Sequence, residues 1–122
     1  MLTDKTTPMR IVRNKEGIRE CMLKDGSRVM NDFVKKGNSW YYFDEHGHML
    51  TSAFVKRGDK CYYMQKNGCK ASGWTSINGR TYYFSRLTGA MAKGRTQIDE
   101  KEYVFSDDGV LLKTYTEGGT TT

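Results

Sequence analysis

Glycine recurs in this chain at positions 26, 47, 68, 89 and 109, at intervals of 21, 21, 21 and 20 residues. Ahead of each stands a version of one block. Trp40-Tyr41-Tyr42-Phe43 leads to Gly47, Cys61-Tyr62-Tyr63-Met64 to Gly68, Thr81-Tyr82-Tyr83-Phe84 to Gly89 and Glu102-Tyr103-Val104-Phe105 to Gly109. A faded copy, Glu20-Cys21-Met22-Leu23, precedes Gly26. A fixed period of this length implies a repeat architecture, in which each unit buries its apolar face only against its neighbours.

Each block reads as a strand, because rings and β-branched residues cluster over three or four positions and then meet a polar turn. Asp44-Glu45-His46-Gly47 suits a type I turn followed by a left-handed glycine, so a hairpin is expected across it, closed by the apolar tail at Met49. In the third ring block the same turn, Ser85-Arg86-Leu87-Thr88-Gly89, carries one extra residue. Alternation along a strand sends Trp40 and Tyr42 to one face and Tyr41 and Phe43 to the other. Rings and glycines recur too densely for a helical stripe. One such hairpin is marginal in water, so stability requires stacking. The expected fold is all-β, a solenoid of five stacked hairpins over residues 18–113. Residues 1–17 form an N-terminal tail with a short strand at Met9–Arg13, and residues 114–122 form a C-terminal tail, with Glu117–Thr122 frayed. All fifteen Phe, Trp and Tyr residues fall between Phe33 and Tyr115, so the first unit reads as a ringless cap.

Charge is distributed unevenly. Residues 1–97 carry 18 Lys and Arg against 8 Asp and Glu, whereas residues 98–122 carry 2 against 6. A basic body points to anionic partners such as wall polymers, but no helix-turn-helix, zinc-finger or RNP pattern accompanies it, which disfavours nucleic acid. No apolar run approaches the roughly 20 residues that span a bilayer, and the N-terminal residues lack the apolar segment of a secretory signal. The three cysteines, Cys21, Cys61 and Cys69, are expected as free thiols, with Cys69 facing Met64 rather than Cys61.

Gly73-Trp74-Thr75-Ser76-Ile77-Asn78-Gly79-Arg80-Thr81-Tyr82-Tyr83-Phe84, followed by Gly89-Ala90-Met91-Ala92-Lys93-Gly94, resembles a cell-wall-binding repeat of the choline-binding type. Related repeats occur in glucan-binding proteins and at the receptor-binding ends of clostridial toxins, where they bind carbohydrate. The resemblance implies quaternary-ammonium sites between consecutive hairpins, enclosed by rings and a methionine. Carried over by position, the ring and methionine places are Phe33, Trp40, Tyr42, Met49, Phe54, Tyr63, Trp74, Tyr83 and Met91. The junction between the units opening at Phe33 and Phe54 is the most complete. The next has Cys61 in place of a ring and Lys70 in place of a methionine, and Thr81 departs likewise.

Other chemistry finds little support. His46 and His48 could hold a metal only with further ligands that the sequence does not place nearby, and Asp107-Asp108-Gly109 lacks the rest of a calcium loop. No phosphate loop, nucleophile elbow or cofactor motif is present, so neither catalysis nor a cofactor is expected. The expected function is a non-catalytic module binding bacterial cell-wall polymer, either choline-decorated teichoic acid or a glycan. The alternatives are a structural part of a phage particle or surface machine, docking on protein or on its own copies, and the wall-targeting fragment of a larger lytic enzyme or toxin. Action at the cell surface follows if the chain belongs to a secreted protein, and assembly in the cytoplasm otherwise.

Overall fold

Two-residue turns organise the strands. The computed structural model describes residues 9–116 and 119–121. It pairs β1 (Met9–Arg13) with β2 (Arg19–Leu23), β3 (Asp32–Lys36) with β4 (Ser39–Phe43), β5 (Ala53–Arg57) with β6 (Lys60–Met64) and β7 (Gly73–Ile77) with β8 (Arg80–Phe84). β9 (Gly94–Ile98), β10 (Lys101–Phe105), β11 (Leu111–Thr116) and β12 (Gly119–Thr121) form one four-stranded sheet in the order β12-β11-β10-β9. The class is the expected one: all-β, antiparallel hairpins repeating about every 21 residues, with no helix among the described residues.

The hairpins lie upstream of where the ring blocks alone place them. Asn78-Gly79 and Asp99-Glu100 both have positive φ at two successive residues, the type I′ turn whose twist matches flanking strands. Ile77 therefore faces Arg80, Ile98 faces Lys101 and, in the equivalent repeat, Lys36 faces Ser39. The ring block is thus the second arm of each hairpin rather than the first. The expected turn at Asp44–Gly47 does form, with the Gly47 amide donating to the Asp44 carbonyl at 2.9 Å, but it closes only a single bridge, Phe43 to Met49. The extra residue in the third copy widens the turn by one, and the Gly89 amide reaches back four residues to the Ser85 carbonyl at 2.7 Å.

At the ends, β1 makes a hairpin with β2, placing Ile11 opposite Cys21. β11 runs on through Thr116, and β12 pairs with it, Thr116 facing Gly119. Gly119–Thr121 is therefore strand where fraying is expected. Residues 1–8, Glu117, Gly118 and Thr122 lie outside the described residues.

Two compact units divide the chain. One extends to Phe54 and takes in Met64–Lys70; the other comprises Val55–Tyr63 and the residues from Ala71 onward. The first is built on buried Cys21, Val29, Val34, Phe43 and Met49, with Ile11, Leu23 and Tyr41 packed against them. In the second, Ala71, Ile77, Tyr82 and Phe84 are buried with Tyr63, Met91 and Val110 around them. Each closing segment docks backwards, onto the strand thirty residues earlier. The Met49 amide donates to the Arg19 carbonyl, Lys70 to Trp40 and Met91 to Cys61, at 2.9, 2.8 and 2.8 Å. These bonds satisfy backbone groups that an isolated hairpin would leave to water, and they set which closing residue meets which rings.

Candidate functional site

Strand alternation delivers two ring sets, as the period-two pattern requires. In β4, Tyr41 and Phe43 turn into the first unit's core, while Tyr42 meets its cross-strand partner Phe33 with ring centroids 4.9 Å apart, edge to face. Trp40, two residues before Tyr42, shares that face. The group closing this face is Lys70. Its Nζ lies 5.2 Å from the Trp40 ring centroid and 5.5 Å from that of Phe33, held by the backbone bond from Lys70 to Trp40. Cation–π attraction at such distances contributes about 0.5–2 kcal/mol per ring. Burial pushes the Lys70 ammonium below its ordinary pKa, since the surrounding side chains remove hydration.

This corrects the expected junction by one repeat. Positional matching pairs Met49 with Trp40 and assigns Lys70 to the following junction. The backward docking instead brings Lys70 to Trp40 and carries Met49 to Arg19, into the core with Tyr41 and Cys21. Cys69 faces Gln65, whose amide donates to its carbonyl, and it is Lys70 that bridges to Met64. The Cys69 thiol donates to the Tyr41 hydroxyl at 3.6 Å, and all three cysteines are free.

The second unit repeats the ring arrangement with a different closing group. Trp74 faces Tyr83 across β7 and β8, with centroids 5.0 Å apart and planes at 66°. Tyr103 of β10 approaches the same indole at 4.8 Å and 66°, and Phe105 at 6.0 Å. Trp74 stays 39% exposed, so three rings surround an indole that solvent still reaches. The place equivalent to Trp40 is Thr81, which leaves that side open. The closing place falls to Leu111, on β11, which lies against β8. Tyr103 is the residue that positional matching misses, although Tyr41, Tyr62, Tyr82 and Tyr103 share the repeat.

Of the remaining expected positions, Phe54 is 47% exposed, Tyr63 stacks on Phe84 at 6.4 Å, and Met91 packs against the second core cluster. In the last repeat Arg95 takes the opening ring place. Its guanidinium pairs with Glu102 and lies 5.4 Å from the Tyr115 ring centroid. A groove of about 400 Å³ runs beside Tyr83, with Arg86, Thr96, Gln97 and Asp99 in its walls.

One of the two histidines, His48, takes part in an electrostatic contact. Glu20 Oε2 accepts from the Asn14 amide at 3.1 Å and from Arg28 at 2.9 Å, and His48 Nε2 lies 3.7 Å away. The Asn14 hydrogen bond, then Arg28, hold the Glu20 carboxyl below the usual carboxylate range against the opposing effect of burial. Among the described residues no group of three His, Cys, Asp or Glu side chains is placed to hold a metal.

Comparison with known proteins follows the same geometry. Residues 31–49 and 72–91 match the family described as "Putative cell wall binding repeat". The Cpl-1 endolysin, solved with a peptidoglycan analogue, is 29% identical over 93% of this chain and 33% of its own, with a TM-score of 0.70. A multimodular pneumococcal cell wall endolysin from phage Cp-1, solved with choline, is 25% identical over 99% of this chain and 40% of its own, also at 0.70. Choline binding protein F from Streptococcus pneumoniae shares the fold at 20% identity and a TM-score of 0.56, over 94% of this chain and 48% of its own. The chain thus spans between a third and a half of these proteins. No curated protein matches it by sequence. Residues 31–49 and 72–91 therefore match cell wall binding repeats, and the hairpin array that contains them shares its fold with the choline-binding repeat proteins.

Proposed function

We propose that this chain is a non-catalytic module that attaches to bacterial cell-wall polymer, and that it grips choline on that polymer at Trp74, Tyr83 and Tyr103. The observation that carries this is the half-exposed indole flanked edge to face by two tyrosines. The similarity to an endolysin solved with choline supports the ligand class. Ring faces carry negative quadrupole density and attract a quaternary ammonium that needs no hydrogen bonds. Three rings at about 0.5–2 kcal/mol each supply roughly 2–6 kcal/mol, which places a single site near millimolar affinity.

Leu111, an apolar residue, stands at the closing place where the first unit has Lys70, so no tethered ammonium competes there. A glycan is the second reading, favoured by the groove beside Tyr83, where a ring adjoins Arg86, Gln97 and Asp99. Cosedimentation with purified walls separates them. Release by millimolar free choline, and failure to bind walls stripped of choline, support the ammonium reading. Binding that persists on stripped walls and ignores choline overturns it in favour of the glycan.

A further inference from the structure

We propose that Phe33 and Trp40 form a second cation site whose occupant is the chain's own Lys70, and that this internal ammonium closes the ring pair to choline. The inference rests on the choline reading only for the identity of the excluded guest. Three observations carry it. The Lys70 Nζ lies 5.2 and 5.5 Å from the two ring centroids, within the range of cation–π attraction. Its backbone amide donates to the Trp40 carbonyl at 2.8 Å, so the side chain starts from a fixed point beside the rings. The same place in the flanking repeats holds Met49 and Met91, each docked by the equivalent backbone bond.

A tethered ammonium competes at its effective concentration, which for short tethers is millimolar or above. Free choline must therefore compete with a tethered cation already seated on the rings, and it is disfavoured further because a second positive charge beside Lys70 is repelled. Lys70 thus acts as a specificity-determining residue. It leaves the ring pair as a structural clasp within the first unit, while Trp74 in the second unit stays open. Replacing it with methionine removes the charge and supplies a polarisable thioether, as at the flanking repeats.

The chain contains two tryptophans, so each can be read alone. In a Trp74→Phe background, Trp40 emission should ignore choline while Lys70 is present. Adding Lys70→Met should produce a saturable response in the millimolar range. A saturable Trp40 response with Lys70 in place overturns the inference, as does a silent Trp40 in a Lys70→Met chain whose circular dichroism is native. If the Lys70→Met chain does not fold, proton NMR of the unsubstituted chain decides. The Lys70 side-chain methylenes should show an upfield ring-current shift that choline leaves unmoved. Random-coil positions, or a shift abolished by choline, overturn the proposal. Trp74 emission in a Trp40→Phe chain tests the choline reading separately, so the two can fail independently.

Discussion

Gly26 and Gly68 offer a test of how the repeats are held together, because they differ in one respect only. Both close equivalent turns. The Gly26 amide donates to the Leu23 carbonyl at 3.0 Å and the Gly68 amide to that of Gln65 at 2.8 Å. Both have φ near +90°. An alanine at either therefore costs about 1–2 kcal/mol, because its Cβ crowds the carbonyl in the left-handed region. At Gly26 that is the whole cost, since an added Cβ meets nothing within 4 Å. At Gly68 the Cβ would stand 2.6 Å from Met49 Sδ and 3.4 Å from Tyr41 Cδ1. Overpacking of this kind costs about 1–3 kcal/mol, and the flexibility of methionine favours the lower half of that range. With urea m-values of about 1–3 kcal/mol/M, Gly68→Ala should lower the unfolding midpoint by roughly 0.5–1 M more than Gly26→Ala. Combining Gly68→Ala with Met49→Ala should cost less than the two single losses added, since the collision is gone. Equal midpoints for the two alanine variants would refute the claim that Met49 is packed down on the next repeat's turn.

Glu100 occupies the second place of a type I′ turn at φ +69°, so Glu100→Gly should stabilise the chain by about 0.5–1 kcal/mol, read as a higher urea midpoint. Phe84, fully buried, should cost about 3–5 kcal/mol as alanine, whereas Leu87→Ala, at a side chain 96% exposed, should stay within about 0.5 kcal/mol. Glu20 has its carboxyl held below the ordinary range, so its contribution is present at neutral pH and lost as pH falls through the depressed value. Glu20→Gln should therefore narrow the difference between urea midpoints at pH 7 and pH 3, and an unchanged difference would remove Glu20 from the account.

The repeat was legible because the turn glycines cannot be replaced cheaply and so keep their spacing, and because rings cluster where a thin hairpin has little else to bury. Strand pairing was harder to read. The ring block points forward to its glycine, but Asn78-Gly79 is the stronger hairpin signal, and it fixes the pairing backwards. The candidate site was legible by residue type at Trp74 and Tyr83. Tyr103 was not named, and Lys70 was assigned one junction too late, since a backbone bond spanning thirty residues leaves no mark in local alternation. Met49 illustrates the cost of that omission. It fits a methionine place by position, but it is core because Arg19, not Trp40, is the strand it docks on.

The most direct test of the central claim is a choline titration of the Trp40→Phe chain, followed by the emission of Trp74. Choline binding against Tyr83 and Tyr103 should give a saturable change with a millimolar midpoint, and Tyr103→Ala should weaken it about 10-fold or more, the loss of a cation–π contact at the upper end of its range. A Trp74 emission that does not change with choline, in a chain that still cosediments with choline-bearing walls, would contradict it.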